Sequence, residues 1–262
     1  MHRVIIPVDF SETSLNAARY AANMLAGKPD VLAVLYSNYE SPDDLDIIRN
    51  YQQSLKREFL QAGVLKVECE REMGGDLIDN IAQLAHTSRA TLIIMGITGK
   101  SAIRQAMFGS NTLRLIDKNL YPVMIIPPDA QFKGIDHVAF ASDLKSVEDV
   151  TPDALITAVL EMFDPQLHII HVTKESYGET LPPELELEKQ KLKSMFSRFD
   201  PKFHFLVKQE FFQAIDQFIK ELDIDVIITI PRHQSNATSI FKSTHTKRLA
   251  YHSHIPILAA HE

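Results

Sequence analysis

The chain repeats itself, and that feature limits its fold more than any other. RVIIPVDF at 3–10 aligns with HVAFASDL at 137–144, setting Asp9 against Asp143 (143 − 9 = 134). TLIIMGITGK at 91–100 aligns with DVIITIPRHQ at 225–234, again at 225 − 91 = 134. Any two buried strands share an apolar look, but chance likeness gives no reason for one offset at two distant places. Half of the 262 residues is 262/2 = 131, an ordinary domain size. Proline and polar residues in PPDAQFKGID (127–136) mark the linker. The expected domains are therefore 1–130 and 135–262.

Each half alternates apolar strands with amphipathic helices. In the first, strands are expected at 4–8, 31–37, 64–70, 91–95 and 122–127. Between the first two, Leu15, Ala18, Ala22 and Leu25 recur at helical spacing, and Leu45, Ile48, Leu55 and Phe59 mark the next helix. Leu77, Ile78, Ile81, Leu84 and Ala85 give a third stripe, and a fourth helix is expected from about Ser110 to Asn119. The second half follows the same order, with strands near 137–142, 166–172, 203–209, 225–230 and 255–260. Its clearest helix carries Phe211, Phe212, Ile215, Phe218, Ile219 and Leu222, and 174–184 read as a turn-rich loop. Near-continuous apolar strands separated by helices predict an α/β fold: two tandem, doubly wound, parallel five-stranded sheets with helices on both faces.

Composition narrows the partners. Twenty-seven Lys and Arg against 34 Asp and Glu leave a net charge of −7, which disfavours a polyanion such as nucleic acid. Cys69 is the one cysteine, so an internal disulfide is excluded and a reducing compartment fits. No apolar run approaches the ~18 residues of a membrane span, and a cytoplasmic protein without membrane contact is expected.

One segment bears chemistry. MGITGKSAIRQAMFGSNTLRLI (95–116) starts where the fourth strand ends and carries Gly96, Gly99, Gly109 and Ser110 in the pattern G-x2-G-x9-G-S. Glycine lets a backbone turn sharply and approach a ligand, and a helix opening at Gly109 and Ser110 presents free N–H groups to a phosphate. In a doubly wound sheet this loop falls at the carboxyl edge where ligands bind, and Asp9 reaches the same edge. GITGKS imitates a Walker A loop, but the leading glycine would have to stand at 94, which is Ile94. Neither GxGxxG nor a G-x-S-x-G nucleophile elbow is present. Lys100 and Arg104 are the nearby cationic side chains for phosphate.

The glycine pattern, the strand order and the opening PVDFSETS resemble the universal stress protein family, and the duplication resembles its tandem members. The resemblance implies a fold similar to that of the adenine nucleotide alpha hydrolases. It also implies a site for ATP, or for ADP or AMP, in the first domain, with magnesium accompanying ATP. Under it, Asp9 contacts the adenosine portion, Pro7 and Val8 line its side, and the backbone at Ser37 meets adenine. Gly96, Gly99, Gly109, Ser110 and Asn111 hold ribose and phosphates, with Met95, Lys100 and Thr112 completing the set.

The second half departs from the pattern: Gly96 becomes Ile230, Gly99 becomes His233, Gly109 becomes Ser243 and Ser110 becomes Thr244, while Asp143 remains. Pro231 stiffens that loop. A family-type ATP site is not expected there, although Arg232, Lys242 and Thr244 offer groups for another anion. His245, His252 and His254 lack a completing ligand and read as surface or helix-end residues, and Cys69 as a packed or half-exposed side chain.

The expected function is nucleotide-dependent regulation in a stress response. A slow ATPase or adenylate-handling enzyme and a nucleotide-free scaffold stay open as alternatives; no evident general base accompanies the motif. The resemblance further implies an intramolecular pseudo-dimer through the fifth strands, Val123–Ile126 and Ile255–Leu258, and a homodimer is compatible with it.

Overall fold

The computed structural model describes residues 1–97, 110–118, 121–173, 177, 180–207, 210–231, 249 and 253–260. The chain divides into two compact units, Met1–Lys133 and Gly134–Glu262.

The first unit runs β1 (His2–Pro7), α1 (Glu12–Leu25), β2 (Val31–Tyr39), α2 (Leu45–Gln61), β3 (Val67–Met73), α3 (Leu77–Ser88), β4 (Leu92–Gly96), α4 (Ser110–Asp117) and β5 (Val123–Ile126). Its strands lie in the order β3-β2-β1-β4-β5 and every pair is parallel. The chain leaves β1 toward β3 and then crosses back to β4, so the order reverses between β1 and β4. Val4, Ile5, Ile6, Leu92, Ile93 and Ile94 are wholly buried at this centre, as a sheet covered on both faces requires. Ser11 caps α1 by accepting from Ser14 N, and Asp76 caps α3 by accepting from Ile78 N and Asp79 N.

The second unit runs β6 (His137–Ala141), α5 (Val147–Val150), α6 (Asp153–Leu160), β7 (Gln166–Thr173), α7 (Pro183–Met195), β8 (Lys202–Val207), α8 (Phe211–Glu221), β9 (Val226–Thr229) and β10 (Ile257–Ala259). Its order, β10-β9-β6-β7-β8, is also parallel throughout. The repeat holds to the residue. Pro7 pairs with Tyr36 and Ala141 with Ile170; Val4 pairs with Leu92 and Val138 with Val226. Leu35 pairs with Cys69 and Ile169 with Phe203; Ile93 pairs with Val123 and Ile227 with Ile257. Each partner is displaced by 134, as in 141 − 7 and 170 − 36. Backbone irregularities repeat as well: Phe10 and Leu144 have φ of 61° and 52°, and Arg89 and Asp223 have φ of 52° and 48°.

Several elements differ from the sequence expectation, and three of the differences have a local cause. β2 continues to Tyr39, because its polar end still pairs with β3 through Ser37↔Arg71, Asn38↔Glu72 and Tyr39↔Met73. β3 starts at Val67 because Val64 belongs to the turn closing α2, its N–H bonded to Phe59 O. The second unit's first helix is broken at Thr151, which is extended (φ −94°, ψ 112°) ahead of Pro152. A proline ring disfavours helical geometry in the residue before it.

A row of histidines crosses three neighbouring strands of the second unit on one face. His137 Nδ1 lies 3.2 Å from His168 Nε2, and His168 Nδ1 lies 3.0 Å from His204 Nε2. Phe218 of α8 packs edge-on against His168 and His204. Among the described residues, no helix is long and apolar enough to cross a membrane.

Candidate functional site

The switch in strand order between β1 and β4 opens a cleft of about 290 Å³ within the first unit, at the carboxyl edge of the sheet. Pro7, Val8 and Asp9 bring in the end of β1, and Ser11, Thr13 and Ser14 the start of α1. Met95 and Gly96 close it from β4, and Asn111 and Thr112 from α4. Tyr36, Asn38 and Glu40 line it from β2 and the residues that follow, and Leu77 from α3.

Asp9 is the fixed anion of this cleft. Its Oδ1 accepts from Ser11 Oγ at 2.6 Å and from Ser11 N at 3.0 Å. Burial works to raise the carboxyl's pKa, but hydrogen bonds from the Ser11 and Ser14 hydroxyls and the Ser11 N–H outweigh it and hold Asp9 below the ordinary carboxylate value. It is a permanent acceptor at neutral pH. The left-handed Phe10 that turns the chain here has the same conformation as Leu144, so this strain belongs to the repeated fold and not to ligand binding alone.

Gly96 is glycine for a steric reason. A Cβ there would stand 2.5 Å from Thr13 O and 2.7 Å from Thr13 Cγ2, so β4 meets the first turn of α1 only without a side chain. The Gly96 carbonyl then accepts from Thr112 Oγ1 at 2.9 Å, tying α4 to the end of β4. Arg114 Nη2 reaches Asp76 Oδ2 at 2.6 Å and Lys118 pairs with Asp79, which joins α4 to α3 beside the cleft.

Of the residues expected at the site, Pro7, Val8, Asp9, Met95, Gly96, Asn111 and Thr112 line one cleft. Ser110 opens α4, while Gly99, Lys100, Arg104 and Gly109 lie outside the described residues. Ser37 does not line the cleft. It is 1% exposed, donates from Oγ to Val8 O at 2.9 Å and accepts from Gln52 Nε2 at 3.1 Å. Side chains alternate along a strand, so its neighbours Tyr36 and Asn38 face the cleft instead. The sequence reading missed those two, and Ser11, Thr13, Ser14, Glu40 and Leu77 with them. Applying the β2 alternation to both sides of Ser37 would have found Tyr36 and Asn38.

Among the described residues, the equivalent place in the second unit offers little space. Its cavity is about 10 Å³, bounded by Phe140, Ser142, Asp143, Val150, Thr151 and Ile230 among others. Ile230 sits where Gly96 sits in the first unit (230 − 96 = 134), and the helix opposite it is the broken one. Of the other second-half positions, Pro231 is buried, whereas Arg232, His233, Lys242, Ser243 and Thr244 lie outside the described residues. His254 is exposed, and His245 and His252 also lie outside them. Cys69 is half-buried, and burial pushes its thiol pKa up, away from a reactive thiolate.

A doubly wound α/β unit with a ligand-sized cleft at its topological switch, followed by a repeat of the same strand order, defines a tandem protein of this fold class. Residues 1–127, nearly all of the first unit, match the model of the Universal stress protein family, so the first unit is a domain of that family. A universal stress protein of Methanocaldococcus jannaschii is 28% identical over 137 residues, covering 47% of this chain and 81% of the relative. Among solved structures, a universal stress protein from Archaeoglobus fulgidus matches 98% of this chain and 95% of its own, with TM-score 0.66 and 18% identity. A protein of unknown function from Pseudomonas aeruginosa matches 99% of this chain and 92% of its own, with TM-score 0.65 and 13% identity. At these identities the two structures establish likeness of fold.

Proposed function

We propose that the first unit binds an adenine nucleotide, ATP foremost, and that the chain acts as a nucleotide-dependent regulator in a stress response. The observation that carries this reading is the contrast between the two repeats: an open cleft of about 290 Å³ around Asp9 against about 10 Å³ around Asp143. The open cleft approaches the range of small-ligand sites and pairs an apolar wall (Pro7, Val8, Leu77, Met95) with a few fixed polar groups. An acceptor at Asp9 suits ribose hydroxyls. The start of α4 suits phosphate, since its first N–H groups lack helical partners. The sequence from Gly96 to Ser110 supports the same ligand through its glycine spacing.

Thermal unfolding tests the reading. A ligand that binds only the folded state at about 100 times its Kd adds about 2.7 kcal/mol of stability. Millimolar ATP is expected to raise the melting temperature of the full-length protein by several degrees, with inorganic triphosphate giving a smaller shift. No shift with any adenine nucleotide would contradict the proposal.

A further inference from the structure

Asn38 projects into the cleft from the polar end of β2, and the orientation of its amide is dictated from a distance. A backbone carbonyl oxygen only accepts. Gly74 O takes a hydrogen bond from Asn80 Nδ2 at 2.8 Å, which fixes which end of the Asn80 amide is nitrogen. The same Nδ2 donates to Asn38 Oδ1 at 2.8 Å, so that atom of Asn38 must be the oxygen. Tyr36 Oη supplies a second donor to Asn38 Oδ1 at 3.1 Å. Both lone pairs of the Asn38 carbonyl are thereby used. Its Nδ2 has no acceptor among the described residues, and this NH2 is the polar end left for a ligand.

The relay is held firmly. Gly74 and Gly75 have φ of 69° and 75°, and a Cβ on Gly75 would stand 2.9 Å from Asn80 Oδ1. This turn therefore gives Asn80 its place only with glycine at 75. Gly74 N is bonded to Tyr39 O at 2.7 Å, which ties the turn to the end of β2. Burial and the nearby Glu72 push the Tyr36 phenol up to about 12, so it stays a donor across the usable pH range.

We infer that Asn38 is a base-reading residue, set by the Gly74–Asn80–Asn38 relay to donate to an acceptor nitrogen of the purine ring. This rests on the nucleotide reading of the cleft and adds to it the chemical feature recognised. A group that offers only donors favours a base presenting an unprotonated ring nitrogen, and it penalises a base with an N–H at that point, because two donors then face each other. Sites built to hydrogen-bond a specific group discriminate strongly against analogues that lack it.

Calorimetric titration of the full-length protein with ATP and with 1-deaza-, 3-deaza- and 7-deaza-ATP tests this, on wild type and on Asn38→Leu. Wild type is expected to bind one of the three analogues about 10–100-fold more weakly than ATP, in line with loss of one hydrogen bond and the desolvation it leaves uncompensated. Asn38→Leu is expected to weaken ATP by a similar factor and to leave that one analogue unchanged. A variant acting only through local structure would weaken all four ligands together, and that result overturns the inference. So does unchanged ATP affinity in Asn38→Leu, or equal binding of all three analogues to wild type, a comparison that needs no variant. Absence of ATP binding by wild type would overturn the nucleotide reading itself and this inference with it.

Discussion

Gly96→Val is expected to abolish adenine-nucleotide binding and to destabilise the first unit. The new Cβ alone would stand 2.5 Å from Thr13 O, a backbone atom that no rotamer change can move aside. The start of α1 must give way. That turn carries Ser11 and Ser14, the hydroxyls that hold the Asp9 carboxylate, so the shift reaches the ligand side of the cleft. Overpacking of this kind costs about 1–3 kcal/mol, and misplacing a ligand-positioning group by about 1 Å costs on the order of 100-fold. Gly96→Ala is expected to act in the same direction with a smaller effect. Urea unfolding and ATP titration check both variants. Wild-type affinity in Gly96→Val would show that β4 and α1 need not approach as closely as they do here. The second unit contains a natural counterpart: Ile230 stands at this position, its facing helix is broken at Thr151, and the space is about 10 Å³.

Lowering the pH from about 7 to about 4 is expected to remove a large share of the second unit's stability. His168 is 3% exposed and sits mid-row between His137 and His204. Three neutral rings satisfy this row when each donates one N–H to the next; a proton on His168 places a charge in the sheet interior. Burial first, then the charges of His204, His137 and Lys202, lower the His168 pKa to about 4 from the ordinary 6.5. His204 is lowered too, by burial and Lys202. The unfolded chain thus binds more protons than the folded one between these values. Stability is full above about pH 6.5 and is lost as pH falls toward 4, at about 1.4 kcal/mol per pH unit, or up to about 3 kcal/mol in all. Denaturant unfolding from pH 7.5 to 4.5 checks this. His168→Gln removes the most strongly shifted group, so the slope should shrink to what His204, His171 and the carboxylates leave. Identical slopes for wild type and variant below pH 6.5 would show that the row tolerates protonation.

Most of the architecture was legible because burial on both faces leaves an unmistakable pattern. VIIP, VLAVLY and LIIM can hardly be anything but central strands, and the common displacement of 134 proved to be the register of every ladder. What escaped the sequence lies where a side chain's role depends on something distant along the chain. The apolar run of β2 stops at Tyr36 although the strand does not, because β3 goes on pairing with its polar end, and so the backbone at Ser37 was named for this edge while the lining residues Tyr36 and Asn38 were not. Gly96 was read as room for a ligand, whereas its first duty is room for Thr13. The histidine row had no local signal: His137, His168 and His204 meet because parallel register brings separate strands side by side. Asn80 is likewise an ordinary helix residue until the turn at Gly74 and Gly75 gives it a carbonyl to bond.

On the proposed reading, duplication left one nucleotide cleft, in the first unit, and none in the second. Counting nucleotide sites on the full-length protein tests it most directly. Isothermal titration with ATP is expected to saturate at one equivalent per chain, with that equivalent lost in Gly96→Val. Saturation at two equivalents, or one equivalent that survives Gly96→Val in a folded protein, would contradict it.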